Sequence, residues 1–257
     1  MLCYRSCMSR RVAIATGAIA LLASSTLFAA DVATLATLAV QGAIVELARD
    51  YGQSSGHRVT LAFDTGPNLA KRVAAGETAD VLIAPAAVVE QAAKDGRVVA
   101  NSRAAIGKVA VGVAIRKGAR VPDISSADAL KRALVAADTV VYSQGTSGVY
   151  IEKLFADLGI ADAIRPKTVR LANGGDALER IVSGRGNDIG FTMVSEIKMF
   201  EPRGASLVGP LPPAIQNYTT YEAVVMTTSA NREAAAGFVQ HVTTPAARRV
   251  LASTGWE

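Results

Sequence analysis

Hydroxyl, amide and glycine residues gather at five places where an apolar β-type run gives way to a helical pattern. These are Ala36-Thr37-Leu38-Ala39, Asp64-Thr65-Gly66-Pro67-Asn68, Ser143-Gln144-Gly145-Thr146-Ser147-Gly148, Ala172-Asn173-Gly174-Gly175 and Thr192-Met193-Val194-Ser195. Small hydroxyl and amide side chains cap helices and can donate to a bound oxygen, while glycine lets the backbone approach closely. Beyond the carboxyl ends of parallel strands, the following helix starts add unpaired N–H groups and partial positive charge. Each junction alone is an ordinary cap or turn. Jointly around one cleft they point to capture of a compact oxyanion or carboxylate. The expected donors are the hydroxyls of Thr37, Thr65, Ser147 and Thr192 and the backbone near Gly66, Gly148 and Gly174, with Asn68 and Asn173 as supporting amides.

Residues for catalysis are fewer. The two histidines, His57 and His241, stand in no pattern that pairs them with a nucleophile or metal and read as surface or capping groups. His-Glu-x-x-His, Gly-x-Ser-x-Gly and Gly-x-Gly-x-x-Gly are absent, and Gly145-Thr146-Ser147-Gly148 lacks the spacing and Lys-Ser/Thr ending of a nucleotide phosphate loop. Asp64, Asp176 and Glu196 are the carboxylates near the proposed cleft. Acids at helix starts commonly serve the macrodipole, so no base is assigned. Tyr142, Tyr150, Tyr218, Tyr221 and Trp256 read as packing residues with polar tips, Tyr150 being the one that could face the cleft. Both cysteines, Cys3 and Cys7, lie at the extreme N-terminus, which leaves the rest of the chain no disulfide, thiolate zinc site or thiol nucleophile. Neither cofactor nor metal is expected.

The 257 residues, 50% hydrophobic and 19% charged, exclude a disordered or fibrous chain and suffice for two lobes. A formal net charge of +5 invites a nucleic-acid reading, but Arg5, Arg10 and Arg11 fall in the first 30 residues, which carry no acid. The remainder is close to neutral and has no basic run, so nucleic acid is excluded as a partner. Those 30 residues, a basic stretch to Arg11 followed by an apolar run from Val12 to Ala30, have the order of a secretory signal peptide. An uncleaved anchor is the alternative, since about 18 apolar residues just span a bilayer. Cleavage and a periplasmic location without a stable membrane anchor are expected.

After Asp31 the pattern alternates between strands and helices. Strands are expected at 32–35, 57–63, 80–84, 109–115, 139–142, 168–171, 188–192 and 221–226. Helices are expected from about Ala43 to Gly56 and over 68–75, 87–94, 126–136, 147–158, 176–182, 231–241 and 245–253. The rhythm predicts an α/β fold of two lobes, the chain crossing between them near 109–116 and again near 210–222, with a cleft between.

The run from Gln41 to Ala84, with Val59-Thr60-Leu61-Ala62-Phe63-Asp64-Thr65-Gly66-Pro67-Asn68 at its centre, resembles the periplasmic molybdate-binding protein family of ABC importers. The likeness continues through Gly145-Thr146-Ser147-Gly148-Val149-Tyr150, Asp188-Ile189-Gly190-Phe191-Thr192 and Pro245-Ala246-Ala247-Arg248-Arg249-Val250-Leu251. It implies a type II periplasmic-binding-protein fold, each lobe a mostly parallel sheet flanked by helices, joined by a double crossover hinge. The lobes would be 31–110 plus 220–257 and 111–219. It also implies a small anionic ligand, an ABC permease as partner, and a monomer. The family's ligand serines fall at Ala39, with Thr37 the nearby hydroxyl, and at Thr65. Its Ala-Gly helix start falls at Ser147-Gly148, a backbone donor near Gly175, and its tyrosine at Met193. Gly107 to Ala119 and Val208 to Pro212 look more like a divergent branch that includes aconitate isomerase. That branch implies the alternative function, a proton shift within a small tricarboxylate.

Overall fold

The runs Val81–Pro85 and Asp188–Met193 are buried along their whole length, as parallel strands covered by helices on both faces must be. The computed structural model describes residues 29–257. The expected signal peptide, apart from its last two residues, lies outside the described residues, as do both cysteines. The strands are β1 (Asp31–Thr37), β2 (Arg58–Asp64), β3 (Val81–Pro85), β4 (Ala104–Arg116), β5 (Thr139–Ser143), β6 (Thr168–Leu171), β7 (Asp188–Met193), β8 (Ala205–Pro210) and β9 (Tyr218–Val225). The helices are α1 (Gln41–Ser55), α2 (Gly66–Ala74), α3 (Ala86–Lys94), α4 (Ala127–Ala136), α5 (Thr146–Asp157), α6 (Ala161–Ile164), α7 (Gly174–Ser183), α8 (Val194–Phe200), α9 (Arg232–His241) and α10 (Pro245–Ser253).

The expected α/β architecture is present, with one difference in how the sheets join. One half has the strand order β2-β1-β3-β9-β4, with β1 parallel to β2 and β3. The other has β6-β5-β7-β4, with β5 parallel to β6 and β7, and β8 on the remaining edge of β4. Strand β4 belongs to both. Its first part, Ala104–Ala110, pairs with β9, and Val111–Ala114 pairs with β7. The sheet is therefore one continuous path whose middle strands are antiparallel. The strand expected at 109–115 at the first crossing is longer, thirteen residues from Ala104 to Arg116.

Caps act where the residue types place them. Thr65, Ser126, Asn173 and Thr244 each accept the backbone N–H three residues on, at the starts of α2, α4, α7 and α10. Gly56 ends α1 in the left-handed conformation at φ 74°. Three elements escaped the pattern. Helix α8 follows β7 with no polar linker, and Met193, the residue before its first turn, offers no capping oxygen. Helix α6 is a single turn. Strand β8 is an edge segment running into Pro210, and its register against β4 shifts at Val113/Ala114.

Gly148 serves this packing. A β-carbon there would lie 1.6 Å from the Ser143 carbonyl oxygen, so α5 sits directly on the end of β5. Gly148→Ala must lift the helix, and overpacking of this kind costs about 1–3 kcal/mol. Urea unfolding of the variant is expected to show that loss; an unchanged midpoint would contradict the packing described.

Candidate functional site

The carboxyl ends of the two parallel strand sets, β1-β2 and β5-β7, meet at one pocket. It is lined by Thr37, Leu38, Ala39, Thr65, Gly66, Ser143, Gly145, Thr146, Ser147, Gly174, Met193, Glu196 and Tyr221, is partly open to solvent and has a cavity volume of about 20 Å³. Helices α2, α5 and α7 all begin on it. The halves touch above it: a β-carbon on Gly66 would come within 2.6 Å of Thr146 Oγ1. Beside it Ser195 Oγ donates to the Ala39 carbonyl at 2.7 Å, tying α8 to the turn before α1. No lysine, arginine or histidine lines the pocket.

Of the hydroxyls expected to act, Thr37, Thr65 and Ser147 line the pocket, and all three are buried. Thr37 makes no capping bond at the helical turn it precedes. Among the described residues, neither it, Thr146 nor Ser147 spends its hydroxyl on a protein partner, so three hydroxyls on the lining remain free for a ligand. Ser143 Oγ accepts the Gly145 N–H at 3.1 Å and keeps its own proton to donate. Gly66, Gly174 and Met193 are also on the lining.

The other expected residues stand elsewhere. Asn68 gives its amide to Asp64 Oδ1 at 2.9 Å, and Asn173 gives its amide to Asp176 at 2.9 Å while capping α7. Gly148 lies behind the lining against β5. Thr192 is buried and donates to Glu196. Asp64 accepts the Thr65 N–H at 2.7 Å and pairs with Arg72 at 3.3 Å, which is structural work. Tyr150 donates to the Ile215 carbonyl at 2.7 Å. Tyr221 was read as packing. It does pack on Trp256, with ring centroids 5.0 Å apart, but it also lines the pocket. It reaches there from β9, the returning strand, and nothing local in the sequence marks that position.

Glu196 differs from everything else on the lining. It is 7% exposed, and no cation pairs with it among the described residues. Oε2 accepts the Thr192 hydroxyl and, at 3.3 Å, the Met193 N–H, the back-reaching half of a capping box on α8. Oε1 takes no protein donor among the described residues and lies against the start of α7, where a β-carbon on Gly174 would meet it at 2.6 Å. Burial raises the Glu196 pKa above its ordinary 4.5, and the bonds from Thr192 and Met193 only partly offset this. Burial likewise raises the Tyr221 phenol, with the Glu196 charge adding to it. The site thus combines neutral donors suited to an anion with one carboxyl whose pKa burial raises. Among the described residues no three His, Cys, Asp or Glu side chains group as metal ligands.

This chain belongs to the bacterial extracellular solute-binding proteins, whose family profile matches residues 31–257. It is 29% identical over 251 residues to the aconitate isomerase of a Pseudomonas species, covering 94% of each chain. Its fold is similar to that of the Azotobacter vinelandii periplasmic molybdate-binding protein, with a TM-score of 0.72, 17% identity, and coverage of 88% of this chain and 98% of that one. The sulfate-binding protein SubI of Mycobacterium tuberculosis gives 0.70 and 16%, over 88% and 86% of the two chains. Those likenesses show the two-lobed periplasmic-binding-protein fold. No helix among the described residues is long and apolar enough to cross a membrane.

The raised Glu196 pKa has a signed consequence. Above the ordinary value near 4.5 the unfolded chain has released a proton that the folded protein retains, so this group makes stability fall as pH rises until it ionises within the fold. Glu196→Gln removes the titration. Its stability advantage over the parent is expected to grow as the pH rises above about 4.5, by up to ~1.4 kcal/mol per pH unit. Denaturant unfolding at a series of pH values above 4.5 reads it, and a gap that does not change with pH would contradict a raised Glu196 pKa.

Proposed function

We propose that this protein is exported to the periplasm, captures a small anion between two lobes and presents it to an ABC permease. The observation that carries this reading is the set of unspent hydroxyls, Thr37, Thr146 and Ser147, gathered with the starts of α2, α5 and α7 on a pocket that lacks cations. Fixed neutral donors replace the water shell of an anion without tying up a counter-charge. The proposed lobes are 31–110 plus 220–257 and 111–219, hinged where β4 and β9 cross, and they close on the ligand as rigid bodies in a monomer. The ligand class is a molybdate-like oxyanion or a small organic acid.

Glu196 favours a second reading, a proton-shifting isomerase of a small polycarboxylate such as aconitate, in line with the activity of the Pseudomonas relative. In its ionised form Glu196 takes a proton from the methylene carbon next to the double bond. The double bond then migrates by one position, and the Glu196 acid returns the proton to the carbon that was formerly vinylic. Nothing is gained or lost overall. A raised pKa makes the carboxylate a stronger base and keeps the acid form available for the return step.

A thermal-shift panel of molybdate, tungstate, sulfate, citrate, cis-aconitate and trans-aconitate separates the readings. A ligand at 100 times its Kd adds about 2.7 kcal/mol, several degrees in a chain of this size. Stabilisation by metal oxyanions alone supports transport. Stabilisation by aconitate, with interconversion of its isomers that Glu196→Gln abolishes, supports the isomerase. Ser147→Ala is expected to weaken whichever ligand binds by about fivefold, as for one neutral hydrogen bond. A parent protein stabilised by none of the six contradicts both readings.

A further inference from the structure

We infer that the anion pocket continues past Glu196 into a second chamber that receives another carboxylate of the same ligand, with the Arg203 guanidinium as its receptor, so that the ligand is an organic polycarboxylate rather than a compact oxyanion. This rests on the anion-binding reading above and narrows it.

The second chamber is lined by Leu38, Gln41, Gly175, Glu196, Met199, Phe200 and Arg203 and has a cavity volume of about 240 Å³. Leu38 and Glu196 line both chambers and so stand between them. At the start of α7 adjacent residues divide the two, Gly174 facing the first and Gly175 the second. Glu196, Met199, Phe200 and Arg203 are spaced i, i+3, i+4 and i+7, so α8 and the helical turn Glu201–Arg203 present them as one stripe from Glu196 outward.

The chemistry along that stripe changes in a definite order. The first chamber offers hydroxyls and no positive charge. The wall they share offers a carboxyl, Glu196, whose Oε1 takes no protein donor among the described residues. The second chamber has apolar walls from Leu38, Met199 and Phe200, suited to a carbon skeleton, and then Arg203, the cation of its lining. A tetrahedral oxyanion would use the first chamber alone. A ligand with charges at both ends needs the second, because one set of neutral donors cannot serve two separated carboxylates. Arg203 is held in place: its guanidinium lies 4.3 Å from the Phe200 ring centroid and is paired with Glu179. Both partners of that pair are more than half exposed, at 56% and 51%. Such surface pairs contribute little, so a ligand carboxylate can share or take over the planar guanidinium donors. A ligand bridging the chambers would carry its middle carbons past Glu196.

Calorimetric titration of the parent, Arg203→Ala and Glu179→Ala with citrate, trans-aconitate and molybdate tests this. Arg203→Ala is expected to lose about ten- to hundredfold in affinity for the two polycarboxylates and none for molybdate, as for a charge-assisted hydrogen bond. Glu179→Ala, which frees the guanidinium, is expected to hold or tighten polycarboxylate binding. Equal polycarboxylate affinity in the parent and Arg203→Ala overturns the second chamber, as does a parent that binds molybdate but neither polycarboxylate. In both cases the anion-binding reading survives. A parent that binds none of the three removes that reading and the chamber with it.

Discussion

An anion can be held without a cation only where fixed dipoles already point at it, and the pocket of this protein is built around that constraint. Both halves are strand–turn–helix units whose parallel strands end at the same place. Each unit leaves helix N–H groups and a capping-type side chain at its turn. Some of those side chains are consumed locally: Asn173 caps α7, and Asp64 orders its own turn. Others are not. Thr37 precedes a helical turn without capping it, and Ser147 is buried on the lining. On the proposed reading, the difference between a consumed and an unspent hydroxyl is what makes a binding surface out of a set of ordinary turns.

The same absence of cations governs Glu196. An ionised carboxyl there would have no partner and would repel an arriving anion, whereas a neutral one can donate to it. Its two structural bonds, from Thr192 and Met193, both fall on Oε2 and leave Oε1 toward the start of α7. Thr192, expected to touch the ligand, acts one layer back by orienting that carboxyl. A binding protein and a proton-shifting enzyme share every other feature of this site. Glu196 is where they part, because burial raises the pKa of its carboxyl.

The sequence displays the fold through strong signals: an apolar run at 81–84, a β-type run at 188–192, threonine, serine and asparagine caps, and glycine stops at Gly56 and Gly76. The junctions that line the pocket were legible for the same reason, since hydroxyls and glycines recur after strands. What escaped lacked a local mark. Helix α8 begins without a capping residue, β8 is an edge strand bounded by proline, and the pocket face of Tyr221 depends on where β9 returns. Whether a given hydroxyl or amide is spent inside its own turn also lies beyond local pattern. Asn68 and Asn173 looked as available as Ser147, yet both give their amides to neighbouring carboxylates.

The most direct test is a crystal structure of the protein with trans-aconitate at neutral pH. One carboxylate is expected within hydrogen-bond distance of the Thr37, Thr146 and Ser147 hydroxyls, with the carbon chain passing Glu196. Ligand density elsewhere on the molecule, with those three hydroxyls bonded only to water, would contradict the account.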